Sequence, residues 1–275
     1  MVATPIGNLS DISVRVKQSL TDAQLILAED TRVSIKLLNH LGLKRTMISC
    51  HDFNEAKRFS VLEEAHQKGE NVALISDAGT PLVSDPGYLI VQKAIEIGMQ
   101  IVPIPGPSAA LAALVGSGLP SDRFSFEGFL PEKKGDRDKR LAPLRTDERT
   151  LIFFVAPNNL KGMLKEILAV LGDRPACLAR ELTKVHEEFW RGDVSDLLRR
   201  AETSEIRGEF VLVVAGAQAG AAHKASEEEA KSRLQNLIGG GARLKDAASV
   251  LARETGWTSS ELYKLGLTLR EGGRQ

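Results

Sequence analysis

Apolar runs alternate with amphipathic segments through the first half of the chain. The runs are short and rich in Val, Ile and Leu, which is typical of strands buried on both faces. They lie at Leu25–Ala28, Asn71–Ser76 and Gln100–Ile104, and the predicted helices lie at Val33–Leu41, Glu55–Lys68 and Pro86–Ile97. This α/β order predicts a mainly parallel sheet covered by helices on both sides.

The second half has more strand-like runs and fewer helices between them, which predicts a mixed α/β domain. These runs lie at Phe124–Phe129, Leu151–Ala156, Ala176–Thr183, His186–Gly192 and Glu209–Gly216. We therefore predict an N-terminal domain over 1–118 and a second domain over 119–218. The Ala- and Gly-rich segment Ala217–Ala225 is typical of a flexible tether.

A small helical tail is predicted over 226–275. Its helices Lys245–Arg253 and Ser259–Leu267 flank Gly256, and Thr258 or Ser259 is placed to cap the second of them. The tail is either a helix-turn-helix unit or, as we favour, a helical pair that packs on the body.

Composition excludes several classes of protein. The 275 residues carry 36 basic and 36 acidic side chains, so any anionic partner must be bound by a local patch. Two cysteines, Cys50 and Cys177, cannot form a disulfide framework, and we expect buried free thiols. The longest apolar runs are too short to span a bilayer, and the N-terminus lacks a leader pattern. We expect a cytoplasmic protein.

Four loops rich in Gly, Pro and small polar residues follow predicted strands. They are Ala3–Asn8, Asp77–Pro81, Ser84–Gly87 and Pro105–Ala109. Ligands of open α/β sheets bind at the carboxyl ends of the strands, so these loops together indicate a small-molecule crevice. The glycine patterns of dinucleotide sites and phosphate loops are absent. Ser108 is expected to cap a helix rather than to act as a nucleophile.

Three polar clusters have two interpretations each. His51–Glu55 either holds Mg²⁺ or, as we favour, is a polar loop that caps the next helix. The charges of Glu29–Arg32 and of Arg180–Glu188 either line a cleft or form ion pairs with one another. Lys133–Arg140, with a net charge of +3, is either a solvated helix face or a contact for phosphates.

A series of longer motifs resembles one known family. In chain order they read ATPIGNLSDIS, AEDTR, HDFNEAKR, LISDAGTPLVSDPG, IVPIPGPSAALAAL, FSFEGFLP, RELTKVHEEFWRG and GEFVLVVAG. From Val2 to about Gly216 they are similar to the small-subunit ribosomal RNA methyltransferases I. These enzymes belong to the tetrapyrrole-methylase-like class (class III) of S-adenosylmethionine methyltransferases.

The resemblance implies two α/β domains with S-adenosylmethionine in the cleft between them, and a homodimer. It also implies 2′-O-methylation of a cytidine in the decoding region of 16S rRNA on the small ribosomal subunit. No metal and no membrane are implied. Another branch of the class, acting on a porphyrin-like ring or a protein side chain, and a non-catalytic RNA-binding assembly factor are the alternatives.

The resemblance also implies roles for individual residues. The cofactor residues would be Pro5, Gly7, Asp77, Ala78, Gly79, Thr80, Leu82, Gly106, Pro107, Ser108, Ala109, Ala156 and Gly208. By the resemblance, the RNA-binding residues would include Arg32, His51 and Asn54. The local positive charge adds Lys133, Lys134, Arg137, Lys139 and Arg140 as candidate RNA-binding residues. Our catalytic hypothesis is that Glu29, Asp30 or Glu187 assists deprotonation while Lys184 or Arg180 holds the adjacent phosphate.

The chain departs from the family pattern in two places. Val155, Asn158 and Asn159 stand where the family has Glu, His and Arg, so that loop either performs no proton chemistry or works differently here. The family's first strand also begins before Val2, which predicts a weakened first strand.

Overall fold

The computed structural model describes residues 1–218, 227–255 and 257–272. Most of the predicted tether, residues 219–226, lies outside the described residues, as does Gly256. The helices are α1 (Val14–Asp22), α2 (Thr31–Leu41), α3 (Phe59–Gln67), α4 (Tyr88–Glu96), α5 (Ala109–Ser117), α6 (Lys134–Leu141), α7 (Leu160–Leu171), α8 (Val194–Thr203), α9 (Glu227–Gly239), α10 (Leu244–Thr255) and α11 (Ser259–Gly272). The strands are β1 (Leu25–Ala28), β2 (Thr46–Ser49), β3 (Val72–Ile75), β4 (Phe124–Phe129), β5 (Thr150–Val155), β6 (Pro175–Arg180), β7 (Glu188–Asp193) and β8 (Phe210–Val214).

The first sheet has three parallel strands in the order β2-β1-β3. All four residues of the central strand β1 are buried, as its apolar composition predicts. The carboxyl ends of the three strands meet at one edge, and the chain leaves that edge through polar loops at Glu29, Cys50 and Ser76.

The prediction of a strand over Gln100–Ile104 is wrong. Only Ile104 pairs, in an isolated parallel bridge with Val2. Pro103 and Pro105 flank Ile104 and have no N–H to donate, so a longer ladder cannot form.

The second sheet has five strands in the order β4-β5-β8-β6-β7. β4 and β5 run parallel and the other neighbours run antiparallel, so the predicted mixed sheet is confirmed. The strand predicted to reach Thr183 ends at Arg180, because Glu181 and Thr183 adopt left-handed backbone angles (φ +50° and +65°) that no strand accommodates.

Both sheets lie in one compact unit, formed by Met1–Ala142 and Thr150–Ala215. The further division of this unit at residue 119 stays a prediction. Cys50 and Cys177 are buried free thiols, as predicted, and burial raises the pKa of each.

The second unit consists of Pro143–Arg149 and the residues from Gly216 onward. Its three helices α9, α10 and α11 pack around Leu234, Leu251 and Leu262. Thr258 caps α11, since its hydroxyl accepts a hydrogen bond from the Glu261 N–H and its own N–H donates to the Glu261 carboxylate. None of the described helices is long and apolar enough to cross a bilayer.

Candidate active site

A cavity of about 350 Å³ in the first unit lies at the carboxyl ends of β3, β4, β5 and β6 and at the amino end of the antiparallel β8. Six of the residues expected at the cofactor line it: Ala78, Gly79, Thr80, Ser108, Ala109 and Ala156. The other seven adjoin lining residues along the chain: Pro5 and Gly7 beside Ile6, Asp77 beside Ala78, Leu82 beside Val83, Gly106 and Pro107 before Ser108, and Gly208 before Glu209. The sequence therefore predicted which loops form the cavity.

Hydrogen bonds hold the cavity loops against one another. Thr4 and Gly79 exchange both backbone hydrogen bonds, at 2.8 and 3.1 Å. The Thr80 hydroxyl donates to the carbonyl oxygen of Pro107 at 3.2 Å. Ser108 caps α5 through the N–H of Leu111, as predicted. These hydrogen bonds fix the positions of the loops relative to one another.

Backbone strain is concentrated beside this cavity. Among the described residues, the non-glycine residues with positive φ are Leu82, Ser84, Glu181 and Thr183. The first two lie in the loop after β3 and the other two in the turn after β6. Strained angles persist only where surrounding contacts impose them, and they are typical of ligand-binding sites.

The turn after β6 packs tightly on the first loop of the chain. A Cβ on Gly7 would lie 2.5 Å from Cγ of Lys184 and 2.8 Å from Oγ1 of Thr183. A Cβ on Gly208 would lie 2.6 Å from a carboxylate oxygen of Glu181. Both glycines are thus required for close packing of the loops around the cavity.

The charges of this turn satisfy one another. The Lys184 ammonium lies 2.9 Å from Glu181 and 3.0 Å from Glu209. Burial lowers the pKa of Lys184, but these two carboxylates outweigh burial and the net direction is upward. Arg180 pairs with Glu188 at 2.9 Å and donates to the Arg207 carbonyl oxygen. Of the two interpretations of this cluster, ion pairing is the one that the geometry supports.

Glu187 and Asp30 are also engaged. The Glu187 carboxylate accepts the Thr183 N–H at 2.6 Å and so closes the turn after β6. Asp30 caps α2 through the Arg32 N–H and pairs with the Arg32 guanidinium at 2.6 Å. These hydrogen bonds with Arg32 lower the pKa of Asp30 to about 2.

Glu29, Asp77 and Asp85 form an acidic group at the ends of β1 and β3. Glu29 accepts the Asp77 N–H, and Asp77 accepts the Asp30 N–H, each at 3.1 Å. Burial raises the pKa of Glu29 and of Asp77. Burial, assisted by the charges of Glu29 and Asp77, raises the pKa of Asp85 to about 6, against a hydrogen bond from Ser76.

Asp85 is a cavity-lining residue that is missing from the predicted site. The sequence predicts Ser84–Gly87 as a ligand-binding loop. Nothing in the local sequence distinguishes Asp85 from an ordinary aspartate in a turn. Its position beside two other carboxylates depends on strands that are far apart in the chain.

The cluster His51–Glu55 caps a helix, which agrees with the favoured interpretation. The helix that it caps is α4, and not α3, the next helix in the chain. The buried Glu55 carboxylate accepts the N–H groups of Gly87, Leu89 and Ile90 at 2.8, 2.8 and 3.3 Å. Asn54 accepts the His51 N–H at 2.9 Å. Glu55 is thus committed to the loop that carries Asp85.

Ion pairs restrain part of the basic stretch. Arg137 binds Glu166 on α7 through two hydrogen bonds of 2.5 and 2.6 Å, and Arg140 pairs with the buried Glu127 at 2.9 Å. Lys139 lies 3.7 Å from Asp136. Within the described part of the chain, no carboxylate lies within ion-pair distance of the exposed Lys133 and Lys134.

A larger groove, of about 470 Å³, lies at the amino ends of β1 and β3 and is lined by Asn71, Val72 and Gln100 among others. It is at the opposite edge from the polar loops. Because ligands of open α/β sheets bind at the carboxyl ends of the strands, the 350 Å³ cavity is the candidate site.

The fold and this site define a class of protein. The family model of tetrapyrrole (corrin/porphyrin) methylases matches residues 1–198, and the protein belongs to that methyltransferase family. Relatives named ribosomal RNA small subunit methyltransferase I match almost the whole chain. The protein from Synechocystis is 43% identical over 99% of this chain and 98% of its own length. Those from Escherichia coli O157:H7 and Mesorhizobium japonicum are 44% and 45% identical over 97% and 98% of this chain, and over 93% and 92% of their own lengths. The resemblance inferred from the motifs is confirmed.

Solved structures share the fold. A diphthine synthase superimposes with a TM-score of 0.60 at 16% identity, covering 78% of this chain and 88% of its own. A cobalt precorrin-4 methyltransferase superimposes with a TM-score of 0.58 at 19% identity, covering 78% and 92%. The α/β tetrapyrrole methylase fold predicted from the sequence is therefore confirmed.

Proposed function

We propose that the protein transfers a methyl group from S-adenosylmethionine to the ribose 2′-hydroxyl of a cytidine in the decoding region of 16S rRNA. The observation that carries this proposal is the 350 Å³ cavity enclosed by the loops on which the motifs were recognised. Similarity over almost the whole chain to proteins named ribosomal RNA small subunit methyltransferase I supports the RNA substrate. Such a substrate places the protein in the cytoplasm, and we propose a homodimer from the family resemblance.

The residues of the cavity suit this cofactor. Its volume falls within the roughly 300–1,000 Å³ of ligand sites, and its walls are mainly apolar, with a few polar groups from Thr80, Asp85 and Glu209. Gly79 has a φ of +83°, a left-handed angle that glycine adopts without strain. Because glycine has no side chain, the backbone after β3 can approach a ligand closely at this residue. When bound, S-adenosylmethionine supplies an electrophilic methyl group on its sulfonium.

The chain's contribution to the reaction is position and proton removal. Aligning two reactants can lower a barrier by about 7–11 kcal/mol, and the mutually bonded loops at Thr4, Gly79 and Thr80 provide such a fixed frame. A general base would accept the proton of the 2′-hydroxyl as the hydroxyl oxygen bonds to the methyl carbon, while the bond from that carbon to sulfur breaks and a neutral thioether leaves. An effective base has a pKa close to the working pH.

Of the carboxylates at this edge, we assign the base to an oxygen of Asp85. Asp85 lines the cavity, and its raised pKa of about 6 suits proton transfer near neutrality. The charge of Glu29 adds to the effect of burial in raising the pKa of Asp85, and Glu29 supports the base in this way. Asp30 and Glu187, which we also considered from the sequence, are committed to Arg32 and to the Thr183 N–H.

The RNA would lie across the basic stretch next to the cavity. Lys133 and Lys134 are its exposed lysines without a carboxylate at ion-pair distance in the described residues, so we assign phosphate contacts to them. Arg137, Lys139 and Arg140 support the stretch through their acidic neighbours. Arg180 and Lys184 hold the turn after β6 through their ion pairs, beside the reacting groups.

Methyl transfer to small ribosomal subunits that lack the modification tests the proposal. Purified protein, tritiated S-adenosylmethionine and such subunits should give labelled 2′-O-methylcytidine on nucleoside analysis. A base-methylated product would overturn the assigned reaction. Cofactor binding by calorimetry without any transfer to RNA would instead indicate a different acceptor, and no cofactor binding would indicate an assembly factor.

A further inference from the structure

A second, smaller cavity of about 130 Å³ adjoins the cofactor cavity. The two cavities share four lining residues: Phe129, Phe154, Val155 and Ala156. The remaining wall of the small cavity comes from the loop after β4, from Arg137 on α6, from the turn Pro157–Asn159 and from the start of α7. A group bound in it would therefore lie one wall away from the candidate reaction centre.

The shared wall is aromatic. Phe129 is 58% exposed, although it packs against Phe154 with ring centroids 5.4 Å apart. Phe154 in turn contacts Phe126, at 4.9 Å. A partly exposed ring that is held from behind by other rings offers a rigid face on which a planar group can stack.

Two asparagine amides also belong to the lining of the small cavity. Asn158 and Asn159 line it and are exposed, and within the described residues neither side chain has a hydrogen-bond partner. They belong to a short turn, Pro157–Asn159, that precedes α7. Each amide has two N–H donors and an acceptor oxygen, which matches the edge of a nucleobase.

The cavity does not favour an anion. Its one cationic lining residue, Arg137, is bound by Glu166 through two hydrogen bonds and also donates to the carbonyl oxygens of Pro131 and Glu132. The guanidinium is therefore neutralised and its donors are occupied. A neutral, planar ligand with donors and acceptors on its rim fits these walls better than a phosphate does.

We infer that this cavity, between the Phe129–Phe154 wall and the amides of Asn158 and Asn159, holds the base of the target nucleotide after that base leaves its stack. The inference rests on the proposed function and deepens it. The amide N–H groups donate hydrogen bonds to the carbonyl oxygen and the ring nitrogen of the pyrimidine. An amide oxygen accepts a hydrogen bond from the exocyclic amino group of the pyrimidine. Because the cavities share a wall, a base seated here carries its own ribose to the border of the cofactor cavity. The small volume suits one pyrimidine ring better than a purine.

The test compares the double variant Asn158→Ala/Asn159→Ala with wild type in single-turnover methylation of small subunits. Subunits with cytidine at the target position are compared with subunits that carry adenosine there. The variant should lose about tenfold to hundredfold in kcat/KM for cytidine, the worth of one well-made base contact. It should lose less for adenosine, so that the preference for cytidine shrinks. Its cofactor Kd should stay within about twofold of wild type.

A matched control is Asn39→Ala, an exposed asparagine in the last turn of α2. It should leave rates, preference and cofactor binding unchanged, and urea unfolding of all three proteins checks that each is folded. Equal loss for cytidine and adenosine, or no loss, would overturn the inference. So would a tenfold weaker cofactor Kd in the double variant, which would assign the cavity to the adenine of the cofactor. Lack of transfer by the wild-type protein would refute the proposed function itself, and the inference with it.

Discussion

Replacing Asp85 by Asn should stabilise the protein and at the same time disable it. The pKa of Asp85 is raised from 3.8 to about 6, because burial disfavours its charged form. The pKa of this carboxyl in the folded state thus lies above that in the unfolded state. The ionised side chain therefore costs stability above about pH 6, and this cost disappears as the pH falls toward 4.

The size of the effect follows from the shift. Two pKa units correspond to about 3 kcal/mol at 1.36 kcal/mol per unit. Asp85 is only half-buried, and solvent screening reduces this figure to about 1 kcal/mol. The Asp85→Asn variant should therefore exceed wild type by about 1 kcal/mol in free energy of unfolding at pH 8, and by about half of that at pH 5.

Urea unfolding at the two pH values measures this difference. Asp30→Asn is the matched control, for which the change in stability should have the opposite sign. Hydrogen bonds with Arg32 lower the pKa of Asp30 to about 2, so loss of the Asp30 carboxylate should destabilise the protein at neutral pH. If Asp85 is the base, the same Asn variant should lose about 10²- to 10⁴-fold in kcat, and the fall in rate below about pH 6 should vanish. A destabilised Asp85→Asn protein, or a stability gain that does not change with pH, would contradict the reasoning.

Three further variants, one of them with a matched control, probe the loops and the basic stretch. Glu55→Gln should lower the free energy of unfolding by about 2 kcal/mol, because charged hydrogen bonds to the N-terminus of α4 are lost, and a lower urea midpoint would show it. Gly7→Ala should cost about 1–3 kcal/mol by overpacking and weaken cofactor binding in calorimetry, whereas Gly135→Ala, in open space, should cost nothing. Replacing Lys133 and Lys134 together by Ala should make the plot of the logarithm of the RNA-binding constant against the logarithm of the salt concentration less steep by about 1.4. Each phosphate contact contributes about 0.7 to this slope on single strands. An unchanged slope would place the RNA elsewhere.

Much of the fold could be predicted because its determinants are local. The apolar run Leu25–Ala28 is typical of a strand buried on both faces, and the glycine and proline residues after the strands are typical of loops. Parallel strands put such loops on one edge, so the loops that line the 350 Å³ cavity could be predicted from the order of the motifs. Where local signals conflicted, the prediction was wrong: apolar Gln100–Ile104 is typical of a strand, but its prolines prevent the ladder.

The chemistry inside that outline depends on contacts between residues that are distant in the chain. Asp85 differs from an ordinary turn aspartate because the folded chain buries it and places Glu29 and Asp77 beside it. Glu55 caps a helix that begins 33 residues later. Local sequence thus determined most of the elements, the family and the loops that line the candidate site. The tertiary structure alone decided which charges are paired, because burial and the distance between charges exist only once the chain is packed.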